Sequence, residues 1–171
     1  MRFGPMIHRL PPLFPLLLPT LAVFLGACSD EGGERRRSLG EAPRFDDLMR
    51  VADAERGGRL FGRCAACHTI ERGAGDRNGP GLFDVMGKPV AGNSRRFGYT
   101  ASLRSLGGVW TPERMDAWLT APAAMVPGTS MHFSGLPDAL DRADLIAFLR
   151  TRSLAAEVAT QPERQPAPRE P

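Results

Sequence analysis

Cys64-Ala65-Ala66-Cys67-His68 is the stretch on which the reading of this sequence turns. On a helical turn, positions i, i+3 and i+4 share one face, so both thiols and the imidazole project the same way. Several chemistries could use such a set. A thioredoxin-like redox pair follows a strand in a βαβ unit and has no use for the adjacent histidine as a ligand. A zinc site could be drawn from Cys64, Cys67, His68 and His132, but the second closely spaced pair typical of structural zinc is missing. A bare disulfide across two residues of a helix would be strained.

The remaining use is c-type haem attachment, for which C-x-x-C-H is the pattern. The thiols can add to the two vinyl groups along the porphyrin edge while His68 swings beneath the iron. One haem c, covalent through Cys64 and Cys67 with iron on His68, is the expected cofactor. Iron held by one histidine has a sixth position to fill. Met49 falls in a polar stretch, Met115 on an apolar helix face, and Met86 too close behind the first ligand to cross to the far side of a porphyrin. Met125 and Met131 lie in a Pro- and Gly-containing loop that can wrap a flat cofactor, with Pro127-Gly128 turning just before Met131.

Working outward, the two ends look unlike a folded core. Residues 1–27 carry Arg2, His8 and Arg9 ahead of an apolar run from Leu10 to Ala27, the layout of a secretory signal. Pro11, Pro12, Pro15 and Pro19 argue against a regular membrane-spanning helix there. The run is also short for a hydrocarbon core of roughly 30 Å. Leu25-Gly26-Ala27-Cys28 resembles the bacterial lipobox, which marks Cys28 as the candidate lipidation site; two or more acyl chains there would anchor the protein firmly. Residues 28–51 are polar and mixed in charge and are expected to form a flexible, lipid-anchored linker. Residues 153–171 end in QPERQPAPREP, the composition of a disordered tail. The folded domain is expected over residues 52–152.

Loss of Arg2 and Arg9 with the signal takes 22 basic residues to 20 against 19 acidic ones. So balanced a chain has no electrostatic footprint for nucleic acid. Lys88 is its only lysine.

Helical spacing recurs three times. It predicts a helix from about Asp53 to Cys67, a second opening at Thr111-Pro112 and stopping at Pro122, and a third from about Asp141 to Thr151. Thr111 is a suitable N-cap and Pro112 suits the first helical position. No alternation persists long enough for a strand, so the expected fold class is all-α. Loops dominate, and the apolar faces alone would bury little. A large apolar cofactor in the middle would supply what the side chains lack.

The region from Asp53 to Arg150 resembles class I cytochrome c, of the mitochondrial and bacterial c2-like type. The resemblance rests on Gly57 and Phe61 before CAACH, Asn78-Gly79-Pro80, Phe97-Gly98-Tyr99-Thr100, Trp110, Trp118-Leu119, Pro127-Gly128-Thr129-Ser130-Met131 and Ala143 to Leu149. It implies a few helices and long loops wrapped around one haem. It further implies that Met131 is the second axial ligand and that Pro80 offers its carbonyl to the other ring nitrogen of His68. Tyr99, Trp110 and Thr129 fall where the family hydrogen-bonds haem propionates or their neighbours, though core filling would also account for the aromatics. Gly57 and Phe61 would pack the first helix across the last. Three positions depart from the family: Ser130 stands where a lysine is usual, Met125 where an aromatic is common, and Lys88 is alone where the mitochondrial form has a ring of lysines.

The implied function is a single-electron carrier, not an enzyme. Iron with both axial positions filled leaves no open site for substrate, and His/Met ligation raises the reduction potential. The expected protein is a monomer, tethered through Cys28 at the periplasmic side of a bacterial membrane. Its expected partners are membrane respiratory or photosynthetic complexes. A haem subunit fixed on an oxidase or dehydrogenase is the alternative; a haem enzyme or gas-binding protein would need an open iron.

Overall fold

The computed structural model describes residues 31–154. The signal stretch 1–27, Cys28 and the tail beyond residue 154 lie outside the described residues.

The described residues hold seven helices in chain order: α1 (Glu31–Leu39), α2 (Phe45–Arg50), α3 (Ala54–Phe61), α4 (Ala101–Leu106), α5 (Pro112–Thr120), α6 (Pro122–Met125) and α7 (Ala139–Thr151). The described residues contain no strand beyond an isolated antiparallel bridge between Pro89 and Val109. The all-α expectation is met.

Each main helix starts where a side chain can satisfy its free N–H groups. Asp53 accepts from the N–H groups of Glu55 (2.8 Å) and Arg56 (3.1 Å) ahead of α3. Thr111 accepts from Arg114 (3.2 Å) ahead of α5, with Pro112 at the first helical position. Asp138 accepts from Asp141 (2.9 Å) ahead of α7. The first helix is shorter than its spacing predicted. It ends at Phe61, and from there tight turns carry the chain to His68, whose N–H donates to the Cys64 carbonyl at 2.9 Å.

Helices α3 and α7 cross in backbone contact at Gly57. A Cβ built there would lie 2.0 Å from the Asp144 carbonyl oxygen and 2.8 Å from Phe148 Cβ, so only glycine fits. Phe61 and Phe148 then meet with ring centroids 5.5 Å apart. Trp118 and Leu119 of α5 join Leu145, Ile146 and Leu149 of α7 and Trp110 in one core.

The linker expectation needs correction over residues 31–50. This stretch holds α1 and α2, and Leu48 is buried with Leu140 and Ala143. The physical reason lies in α7. Asp144 is fully buried, and Arg35 of α1 meets both its oxygens at 2.8 and 3.0 Å. Arg56 Nε lies 3.1 Å from the same carboxylate, and the Asp53 N–H donates to it at 2.8 Å. A buried carboxylate without such partners would be prohibitively costly.

Candidate haem site

The core encloses a cavity of about 400 Å³, within the range of cofactor sites. Its walls come from five stretches: the α3 end with the CAACH turn, residues 78–85, residues 91–103, residues 110–133, and α7 at Leu145 and Leu149. Cys64, Cys67, His68, Pro80, Tyr99, Trp110, Thr129 and Met131 all line it. Met131 is thereby brought to the same cavity as a histidine 63 residues earlier in the chain.

Cys64 is half-buried, Cys67 is exposed, and the two are not joined by a disulfide. Burial pushes the Cys64 thiol up in pKa, partly offset by the Arg63 guanidinium, so this sulfur is held as a neutral thiol. The two sulfurs therefore mark a partly open edge of the cavity.

His68 Nδ1 lies 2.7 Å from the Pro80 carbonyl oxygen. A carbonyl only accepts, so Nδ1 carries the proton and Nε2 keeps its lone pair for a metal. The loop that supplies this carbonyl is fastened to the CAACH turn. Gly79 N–H donates to the Cys67 carbonyl (2.8 Å), Leu82 N–H to the Thr69 carbonyl (2.8 Å), and Arg77 to the Ala65 carbonyl (2.9 Å). Gly79 is a site residue that spacing alone did not single out. A Cβ there would stand 2.4 Å from the His68 ring, so glycine lets the loop close on the imidazole.

Val126 and Thr129 shape the turn before Met131. Thr129 N–H donates to the Val126 carbonyl at 3.1 Å, and Thr129 Oγ1 accepts from Met131 N–H at 3.2 Å. Met125, the other thioether of this loop, packs against the core and is not part of the cavity lining. Met115 is buried and forms part of the wall, while His132 reaches the cavity from an exposed position.

Trp110 and Trp118 meet on the cavity wall with ring centroids 5.6 Å apart and planes tilted by 57°. Tyr99 is buried, and its hydroxyl oxygen accepts from Ser94 N–H at 3.2 Å. Burial pushes the phenol up in pKa against the opposing Ser94 bond, so Tyr99 keeps a proton to donate. Among the described residues, no three His, Cys, Asp or Glu side chains converge as a metal cage, so Cys64, Cys67, His68 and His132 do not form the zinc site weighed above. What the lining offers is a largely apolar cavity with one imidazole, two thiols and the Met131 thioether. That donor set fits a covalently bound haem.

The cytochrome c family model matches residues 54–153. This chain belongs to the cytochrome c family. A cytochrome c homolog of Bradyrhizobium diazoefficiens is 31% identical over 144 residues, covering 82% of this chain and 78% of its own length. The cytochrome c-type cyt cy of Rhodobacter capsulatus is 44% identical over 107 residues, 62% of this chain and 52% of that one. Among solved structures, cytochrome cH from Methylobacterium extorquens superposes with a TM-score of 0.55 at 32% identity, covering 58% of this chain and 99% of that chain. Membership brings with it one covalently bound haem c, for which Cys64 and Cys67 are the cysteines of the CXXCH motif, and a role in electron transfer. No helix of the described residues is long and apolar enough to cross a membrane.

Proposed function

We propose that this cytochrome c is a one-electron carrier whose iron is held by His68 and Met131, working at the periplasmic face of a bacterial membrane to which Cys28 tethers it. The observation that carries the axial assignment is the shared cavity: an imidazole fixed as its Nδ1–H tautomer and a thioether from a distant turn line the same slot. Bound haem supplies a centre that takes up and releases one electron. The chain's own residues do the rest. Pro80 and Gly79 hold the imidazole plane, and Thr129 holds the backbone of Met131. The tryptophans and the α5 and α7 side chains keep water from the interior, while the exposed Cys67 leaves one edge near solvent, where a partner can approach.

The partners proposed are membrane respiratory or photosynthetic complexes. A lipid tether raises effective concentration near them without new contacts. The only lysine is engaged with Asp84 at 3.0 Å, so docking charge falls to arginines, of which Arg63 lines the cavity beside Cys64.

An absorption spectrum of the haem-loaded protein tests the ligand set. The expected result is a low-spin spectrum with a sulfur-to-ferric-iron band, indifferent to carbon monoxide. A high-spin spectrum or ready carbon monoxide binding would overturn Met131 ligation and favour a haem enzyme or gas sensor. Mass spectrometry of the membrane-extracted protein tests the tether: acyl chains on an N-terminal Cys28 are expected, and an unmodified cysteine would refute it.

A further inference from the structure

Pro80 carbonyl and Gly81 N–H belong to one peptide unit, and both are engaged. The carbonyl accepts the His68 Nδ1 proton at 2.7 Å, and the N–H donates to Asp76 Oδ1 at 2.8 Å. Peptide resonance couples the two ends, since electron density drawn to the oxygen leaves the nitrogen a better donor, and the reverse. A carboxylate on the N–H therefore makes the carbonyl a stronger acceptor, as in any polarised chain of hydrogen bonds. The other oxygen, Asp76 Oδ2, accepts from Ser94 Oγ at 2.6 Å, a short charge-assisted bond. Ser94 N–H in turn donates to Tyr99 on the cavity wall. Asp76 thus straps the histidine loop to the tyrosine loop and lays a negative charge against the peptide that holds the imidazole.

We propose that Asp76 is a positioning residue for His68, acting through the Pro80–Gly81 peptide to strengthen the imidazole as a donor, with Ser94 setting how much charge it delivers. The inference rests on the reading of His68 as an iron ligand. Partners that lie behind a ligating histidine raise its basicity and are felt at the metal. A more basic imidazole favours the oxidised form, so Asp76 lowers the reduction potential. Ser94 works against it, because its hydroxyl draws charge to Oδ2 and away from the oxygen that faces Gly81. Although Asp76 is exposed, direct contact at Gly81 makes its effect on the peptide far less subject to screening than that of a distant surface charge.

The test uses the haem-loaded full chain and three variants, Asp76→Asn, Asp76→Glu and Ser94→Ala. Asn retains an oxygen for the Gly81 N–H and removes the charge. At a fixed ambient potential, Asp76→Asn is expected to raise the ratio of reduced to oxidised protein by about threefold, the order expected for one polarising partner. Asp76→Glu should return most of the way to wild type. Ser94→Ala should move the ratio in the opposite direction to Asp76→Asn. A loop that is merely loosened would shift both variants the same way, and that result, or no shift in Asp76→Asn, overturns the proposal. Proton NMR of the oxidised protein separates the two levels of inference. A paramagnetically shifted His68 Nδ1–H that moves in Asp76→Asn supports the relay. If that resonance is present but unmoved, the relay fails and the ligand assignment stands; if the wild type lacks it, both fall.

Discussion

Met131 shares its cavity with two other side chains whose chemistry suits iron, Met115 and His132. Geometry separates them. Met115 is locked in the α5 face with 5% exposure, and His132 is exposed, whereas Met131 sits on a turn whose backbone N–H is held by Thr129. Met131→Ala is therefore expected to lose the sulfur-to-iron band and to bind carbon monoxide within the mixing time of the experiment. A variant that stays low-spin and closed to carbon monoxide would mean that a different side chain ligates in the wild type. At this scale the sequence was legible because the chemistry is local. Two thiols and an imidazole within five residues need no tertiary information to be read as a set. Gly79 and Asp76 were not legible in the same way. What makes them matter is the fold of a loop back onto His68, which no spacing rule encodes.

At the scale of elements, the α3–α7 crossing and the helix caps carry the argument. Gly57→Ala places a methyl 2.0 Å from a backbone oxygen, which side-chain rotation cannot relieve. Forced overpacking of this kind costs about 1–3 kcal/mol, and the expected result is a lowered Tm of the haem-loaded protein with the same low-spin spectrum. An unchanged Tm would mean that the helices are not in backbone contact. The caps predict an acid response. Bonds from the Arg56 N–H hold Asp53 below the ordinary carboxyl value of 3.8. For Asp138, burial opposes ionisation, but the Asp141 N–H and Arg36 outweigh it and its pKa is also lowered. A group depressed in the folded state adds stability that is complete above its unfolded pKa and is lost as pH falls through the folded one. Tm should thus be insensitive to these two caps above about pH 5 and fall below about pH 4. Asp53→Asn, which still caps but cannot titrate, should flatten part of that fall; a profile identical to wild type would remove Asp53 from the account. Thr111-Pro112 announced α5 in the sequence because cap and proline are adjacent. Helix α4 went unread, since six residues give no period to detect and only Thr100, accepting from Leu103 N–H, marks its start.

For the molecule as a whole, the sequence misled where stability comes from contacts far apart in the chain. Residues 31–50 look like a solvated linker because their own side chains are mostly polar, and nothing local reveals that Arg35 ends on a carboxylate 109 positions later. Asp144 stands close behind Asp141 and Arg142, and nothing in that spacing marks it as the carboxylate that is fully buried. The need for an apolar cofactor, by contrast, was legible from loop content and small helix faces, and the cavity allows its size to be judged. Leaving about 400 Å³ of apolar space unfilled at about 24 cal/mol per Å³ would cost on the order of 10 kcal/mol. The partly open edge makes this an upper bound, since water can enter past Cys67. Even half of it rivals the 5–15 kcal/mol by which whole domains are stable. The chain is therefore expected to fold only around its haem. Cys64→Ala with Cys67→Ala, which removes both covalent attachments and leaves His68 intact, should give a protein that loses most of its helical circular dichroism once the haem has been extracted. It should also show no cooperative thermal transition at 25 °C or above. A native-like helical signal with a sharp transition in the haem-free double variant would mean that the side chains, with the Asp144 cluster and its arginines, hold the fold unaided.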